Sequence, residues 1–176
     1  MIIAEKKKKE NIAEYILYMW QVEDIIRANH FDMQAIRRSL IAGYEQPEEV
    51  KRKIERWYEA LAEKMRLEGV QEKGHLQEIT AEVNALTDLH LRLLASPEET
   101  LYRATYYQTL PYIVQLRAKS GGKEMPELET CLTALYGYLM LKMQQKEVSP
   151  MTEEAVKQVA SFLAILAEKH IKHTKR

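Results

Sequence analysis

The chain has 176 residues, of which 26 are basic and 26 acidic, so its formal net charge is zero. This length suits a single domain with a substantial core, and the balanced charge disfavours a dedicated nucleic-acid binder, which usually carries a strong basic excess. The one cysteine, Cys131, cannot form an intrachain disulfide, and the N-terminus lacks the order of charged and apolar residues found in secretory signals.

The first predicted helix, from Lys9 to His30, carries more large apolar residues than any other segment. At about 100° per residue, its apolar side chains surround the helix except for a narrow strip that holds Glu10, Glu14 and Gln21. Its most apolar stretch, from Ile12 to Ile26, contains three acidic residues and falls short of the roughly 20 predominantly apolar residues that a membrane-spanning helix needs. It therefore predicts a central core helix, and we expect a cytoplasmic protein without a membrane span.

Glycine and proline are scarce, with six and five residues, so the helices that follow should be long. Four of the five prolines stand just before acidic residues, which is typical of helix starts. The later helices are predicted at residues 32–43, 47–69, 76–95, 97–119 with a kink or break at Pro111, 126–146 and 150–172.

These segments predict an all-α fold, a single-domain bundle of about six to seven helices around the hydrophobic N-terminal helix. The domain spans residues 1–176, and we expect frayed ends at 1–8 and 173–176. In the helix at 126–146, the apolar stripe predicts that Leu135, Leu139 and Met143 belong to the core.

Three polar residues, Glu23, Arg27 and His30, interrupt the apolar sector of the first helix. Buried charges persist in proteins when they are paired or used. Glu23 and Arg27 stand four residues apart and can form an ion pair within the fold. Alternatively, they line a pocket that binds a polar ligand.

Two histidines are candidates for the same pocket. His90 lies on the apolar stripe of the fourth helix, where a hydrogen-bonded core residue is the commoner role. His75 ends a short polar turn, and turns that concentrate functional side chains often bind ligands. The candidate ligand-binding residues are Glu23, Arg27, His75, His90 and Arg117, and no catalytic residue is assigned.

Arg117 precedes Gly121, Gly122 and Lys123, a basic glycine-containing loop of a kind that can bind anions. An ordinary interhelical loop is the commoner structure for such a segment. Both chain ends are also basic, and solvated helix ends explain them more simply than nucleic-acid contact. The sequence has no zinc signature and no Glu-x-x-His pair on a predicted helix, so we expect neither a metal nor a cofactor.

The sequence resembles an uncharacterised family of short, all-helical bacterial proteins known only as a domain of unknown function. The stretches that carry the resemblance are KKENIAEYILYMWQVEDIIRAN, GVQEKGHLQ, LTDLHLRLL, LPYIVQLRAKSGGKE and ETCLTALYG. The resemblance covers nearly the whole chain. It implies a helical cytoplasmic protein and supplies no activity, substrate, cofactor or catalytic residue.

Three functional hypotheses follow for a protein whose activity is unknown. The first is a non-enzymatic helical interaction protein that self-associates or binds a protein partner, because the first helix is apolar on most sides and the chain has ten tyrosines. The second is a small-molecule-binding protein or enzyme with a polar pocket between helices. The third and weakest is a nucleic-acid-associated protein that uses the basic ends.

Overall fold

The computed structural model describes residues Ile2–Lys119 and Glu124–Thr174, except for the side chain of Ile2. Within these residues there are eight α-helices, a short 3₁₀ helix at Ile41–Gly43 and no strand, which confirms the all-α prediction. The α-helices are α1 (Ile2–Glu10), α2 (Ile12–Ala28), α3 (Met33–Ser39), α4 (Glu48–Leu67), α5 (Gln77–Ala95), α6 (Thr100–Lys119), α7 (Glu127–Met143) and α8 (Pro150–Thr174).

The chain divides into two compact units. The first comprises Met1–Glu10 and Glu14–Glu82, and the second comprises Asn11–Ala13 and Val83–Arg176. Helices α2 and α5 each contribute residues to both units. The single-domain organisation of the whole chain stays a prediction.

Helix α2 is buried on most of its circumference, as the apolar pattern predicts. The only charged side chain in its buried set is Glu23, which is 1% exposed. The buried apolar residues of α2 are Ile12, Ala13, Tyr15, Ile16, Leu17, Met19, Trp20, Val22 and Ile26.

The predicted caps of the first unit are present. The Asp32 side chain accepts hydrogen bonds from the backbone N–H groups of the first turn of α3, and Pro47 stands immediately before α4. Gly69 follows the end of α4 with a φ of 70°, a conformation that glycine adopts without strain. These residues set where α3 and α4 begin and where α4 ends.

At the N-terminus, Ile2–Glu10 form α1, and the fraying predicted at 1–8 stays a prediction. Three of the four lysines in the run form ion pairs, Lys6 with Glu10, Lys7 with Glu14 and Lys8 with Glu82. Ala4 is also buried. Asn11 separates α1 from α2, so the predicted helix at Lys9–His30 begins later and ends earlier than expected.

In the second unit, α6 and α8 run antiparallel. Glu99, just before α6, pairs with Lys169 near the end of α8, whereas the hydroxyl of Tyr112 donates to Glu154 near its start. Helix α6 continues through Pro111 without a break and begins at Thr100 rather than at Pro97. None of the described helices has the length and apolar character required to cross a bilayer.

At the C-terminal end, the fraying predicted at 173–176 stays a prediction. His173 and Thr174 belong to α8. The last two residues of the chain lie outside the described residues.

The packing of α7 corrects the predicted core. Its first two turns are buried through Leu128, Cys131 and Leu132. The second half is not covered in the same way, because Leu139 is 40% exposed and Met143 is 65% exposed. Both were predicted to be core residues, and this prediction was wrong. Helix α7 has apolar residues on its other faces too, so an apolar stripe does not mark which face is buried.

Candidate functional site

The turn between α4 and α5 is held by side chains that bind its backbone. Glu68, at the end of α4, accepts a hydrogen bond from the N–H of Gln77 at the start of α5, across 2.7 Å. Gly74, within the turn, has a φ of 87°, which favours glycine. Two further side chains reach the turn from α2, and they are the predicted candidates Glu23 and Arg27.

The Glu23 carboxylate is buried and has a partner on each oxygen. Oε1 accepts the backbone N–H of Leu76 across 2.9 Å, and Oε2 lies 2.6 Å from Nδ1 of His75. Both partners precede α5, about 50 positions away in sequence. Hydrogen bonds of this kind satisfy a buried carboxylate, which would otherwise be costly to remove from water.

His75 is fixed in position but partly open to solvent. Its ring stacks on Trp20 with centroids 4.5 Å apart, and its side chain is 38% exposed. Because a carboxylate only accepts hydrogen bonds, the ring proton shared with Glu23 is on Nδ1. No group of three or more His, Cys, Asp or Glu side chains that could hold a metal ion occurs in the described parts of the chain.

Arg27 closes the turn and leaves the predicted ion pair unformed. Its Nη1 donates to Asp24 across 2.9 Å, and its Nη2 donates to the backbone carbonyl oxygens of Val70, at 3.0 Å, and Gly74. It does not pair with Glu23, because the guanidinium is directed to the turn carbonyls. The two residues therefore act on the same turn through different backbone groups.

Replacing Arg27 with lysine should loosen this turn. A lysine ammonium lacks the planar fork that reaches Asp24 and the two carbonyls together, so we expect a loss of about 1–2 kcal/mol in the free energy of unfolding. Limited trypsin digestion followed by mass spectrometry should show faster cleavage after Lys73. The matched control is Arg38→Lys, an exposed position, and equal cleavage in the two variants would contradict the assignment.

His90 lies in the second unit and has a different environment. It is 3% exposed, its Nδ1 is 2.7 Å from the hydroxyl of Tyr102, and its ring contacts Tyr106 and Phe162 edge to face. Burial lowers the pKa of His90 below its ordinary value, although Glu127 opposes the shift. The neutral imidazole is part of an aromatic core cluster.

Arg117 is also engaged within its own unit. Its Nη2 donates to the backbone carbonyl oxygen of Met125 across 2.9 Å, so it bridges the end of α6 to the segment before α7. The anion-binding loop predicted with Arg117 includes Gly121, Gly122 and Lys123, which lie outside the described residues. Cys131 is buried, and burial raises the pKa of its thiol to about 12. A thiol with such a pKa is unreactive.

The most exposed apolar side chains near the end of α7 form a second candidate site, which we call the α7 surface. It consists of exposed residues on two faces of the helix, Gly137 and Leu141 on one and Leu139 and Met143 on the other, together with Met151 at the start of α8. Between residues 130 and 143 the only charged side chain is Lys142, which pairs with Glu153 across 2.6 Å. The α7 surface is therefore apolar and free of unpaired charge.

Comparison with known proteins places the chain in a family. The sequence pattern of one protein family, described as Domain of unknown function (DUF4924), matches residues 1–176. The chain belongs to the DUF4924 family. No curated protein and no solved structure matches it.

Membership of DUF4924 confirms the resemblance found in the sequence, and the family description assigns no activity to any residue. The function must therefore be argued from the geometry of this chain. Sequence reasoning identified Glu23, Arg27 and His75 but missed Trp20 as the stacking partner of His75. It also missed the α7 surface, although the apolar residues on every face of α7 were a usable signal that one core could not cover them all.

Proposed function

We propose that this protein is a non-enzymatic helical interaction protein that self-associates through the α7 surface. The observation that carries the proposal is the exposure of the second half of α7, a helix with apolar residues on every face. Exposed large apolar residues that are concentrated on one segment often mark an interaction site. The proposed location is the cytoplasm, because one buried cysteine gives no reason to expect an oxidising compartment.

Gly137 supports a helix as the partner. A glycine in a helix interior costs about 1 kcal/mol relative to alanine, and a Cβ built at Gly137 would have no heavy atom within 4 Å among the described residues. The chain's own described packing therefore does not require a glycine there. A missing side chain lets another helix approach closely, as small residues do at helix crossings.

The arrangement of α7 supports a second copy of the same chain as that helix. Leu141 lies one turn beyond Gly137 on the same side of α7. If two copies pair antiparallel about a two-fold axis, Leu141 of each copy lies over Gly137 of the other, so both contacts form at once. No unpaired charge on the α7 surface opposes this pairing.

Leu141→Glu should test the proposal because it places a charge in the apolar contact. Sedimentation equilibrium of the full chain from micromolar to near-millimolar concentration should show a dimer for the native protein. We expect Leu141→Glu to raise the dimer dissociation constant by at least about tenfold. The matched control is Leu67→Glu, since Leu67 is 79% exposed at the end of α4 and lies outside the α7 surface.

Gly137→Ala separates association from folding. The substitution should stabilise the monomer by about 0.5–1 kcal/mol through helix propensity and should weaken the dimer by filling the contact. A native protein that stays monomeric throughout the concentration range would overturn the proposal. Equal effects of Leu141→Glu and Leu67→Glu would overturn it as well.

The other two hypotheses have less support. A polar ligand pocket would need free binding groups, but both oxygens of Glu23 and both terminal nitrogens of Arg27 are already hydrogen-bonded within the protein. The nucleic-acid hypothesis depends on the basic ends, and three lysines of the N-terminal run form ion pairs.

A further inference from the structure

A mainly apolar cleft of about 850 Å³ opens on the first unit. This volume lies within the range of roughly 300–1,000 Å³ that is usual for sites of small organic ligands. One side is formed by α4, and the other lining residues come from α1 and from the segment that follows the 3₁₀ helix. The apolar lining residues are Ile3, Tyr44, Val50, Ile54 and Trp57.

The apolar floor of the cleft is formed by residues of α4 and is only partly covered. Val50, Ile54 and Trp57 stand at positions i, i+4 and i+7 of α4, so they share one helix face. Of the three, only Ile54 is buried, whereas Val50 and Trp57 are half-buried. The ring of Trp57 packs edge to face on the buried Tyr58, with centroids 5.2 Å apart. The cleft therefore offers an apolar floor that the described chain leaves open.

Charged residues at the cleft are separated by sign. The two cations, Lys53 and Arg56, are both on α4, whereas the two acids, Glu5 and Glu45, are on α1 and on the segment after the 3₁₀ helix. Lys53 pairs with Glu49 across 2.9 Å. Arg56 and Glu45 have no ion-pair partner among the residues that the structure describes, so one positive and one negative group remain available.

We infer that this cleft binds a zwitterionic amphiphile, a molecule with one alkyl chain and a head group that carries both a phosphate and a quaternary ammonium. The alkyl chain matches the apolar floor, where burial is favourable in proportion to area. The phosphate matches Arg56, since guanidinium groups bind phosphate oxygens in a planar fork. The ammonium matches Glu45 together with the aromatic face of Tyr44, because cations are attracted to aromatic rings.

This inference does not depend on self-association through the α7 surface. The separation of charges by element favours a dipolar ligand over a simple anion or cation, because each of those would find one complementary and one repelling side. The aromatic residues Tyr44 and Trp57 favour an ammonium head over a primary alcohol or a sugar, which offers no positive charge.

Calorimetric titration of the full chain with dodecylphosphocholine, kept below its micelle concentration, tests the inference. Dodecanoate and dodecyltrimethylammonium have the same chain length and one charge each, so they measure the contribution of each half of the head group. We expect saturable binding of dodecylphosphocholine that is about threefold or more tighter than that of either single-charge compound.

Substitutions at exposed charges assign the binding to the cleft. Arg56→Gln should weaken the binding of dodecylphosphocholine and dodecanoate by about threefold without weakening that of dodecyltrimethylammonium. Glu45→Gln should weaken the binding of dodecylphosphocholine and dodecyltrimethylammonium by about threefold without weakening that of dodecanoate. The control Arg52→Gln removes a neighbouring α4 cation that does not line the cleft, and Leu141→Glu alters the α7 surface. Neither control should change the affinity.

Three results would overturn the inference. The first is the absence of saturable heat with dodecylphosphocholine. The second is equal affinity for all three compounds, because it would mean that only the alkyl chain is recognised. The third is equal effects of Arg56→Gln and Arg52→Gln, because they would mean that the compound binds elsewhere.

Discussion

Replacing Glu23 with alanine is expected to lower the free energy of unfolding by about 3 kcal/mol, because it removes a buried carboxylate with two hydrogen bonds. The backbone N–H of Leu76 would lose its acceptor while the residue stays buried. Nδ1 of His75 would lose the group that orients the ring. Urea unfolding followed by circular dichroism measures this loss as a lower midpoint urea concentration, with the dependence of the unfolding free energy on urea concentration unchanged.

The control for this prediction is on the same helix. Glu14 is exposed and forms a surface ion pair with Lys7, so Glu14→Gln should change the stability by no more than about 0.5 kcal/mol. The loss of stability for Glu23→Gln should lie between those for Glu23→Ala and Glu14→Gln, because an amide keeps one oxygen for Leu76 but presents a donor to His75. If Glu23→Ala cost no more than Glu14→Gln, the carboxylate would not be what holds the turn.

The helices could be predicted from the sequence because their signals are local. The cap at Asp32, the proline before α4 and the glycine after it each act within a few residues of the boundary they set. The candidate site could be predicted only in part. Glu23 and Arg27 share one helix and stand out on its apolar sector, but the groups they bind lie more than 40 residues away.

The predicted ion pair between Glu23 and Arg27 shows why spacing alone was insufficient. Residues four apart on a helix can meet, but Glu23 and Arg27 each bind groups of the turn instead of one another. A backbone N–H, an imidazole and two carbonyls become available only once the turn has folded against α2. Sequence periodicity carries no information about these groups.

The wrong assignment of Leu139 and Met143 has a different cause. Apolar periodicity predicts burial without stating whether enough neighbouring chain exists to supply it. Helix α7 presents apolar residues on several faces, and the described chain covers only its first half. Helix α2 also has apolar residues on most of its faces, but nearly all of them are buried. The difference between these two helices is what supports an external partner for α7.

His90→Asn is expected to cost about 2 kcal/mol of unfolding free energy at pH 8, because the smaller side chain leaves part of an aromatic cluster unfilled. Asparagine keeps a polar atom near the position of Nδ1, so the hydroxyl of Tyr102 retains a partner. The larger consequence is a change in the response to acid. Burial lowers the pKa of His90 in the folded state below its ordinary value of 6.5.

A lowered pKa in the folded state means that the unfolded chain binds the proton more readily. The contribution of His90 to stability is therefore complete above pH 6.5 and is lost as the pH falls below it, at no more than about 1.4 kcal/mol per pH unit. Urea unfolding between pH 8 and pH 5 should show that His90→Asn loses less unfolding free energy per pH unit than the native chain does. His173→Asn, which removes an exposed histidine, should keep the native slope. Parallel slopes for the native chain and His90→Asn would mean that the buried imidazole does not cause the acid sensitivity.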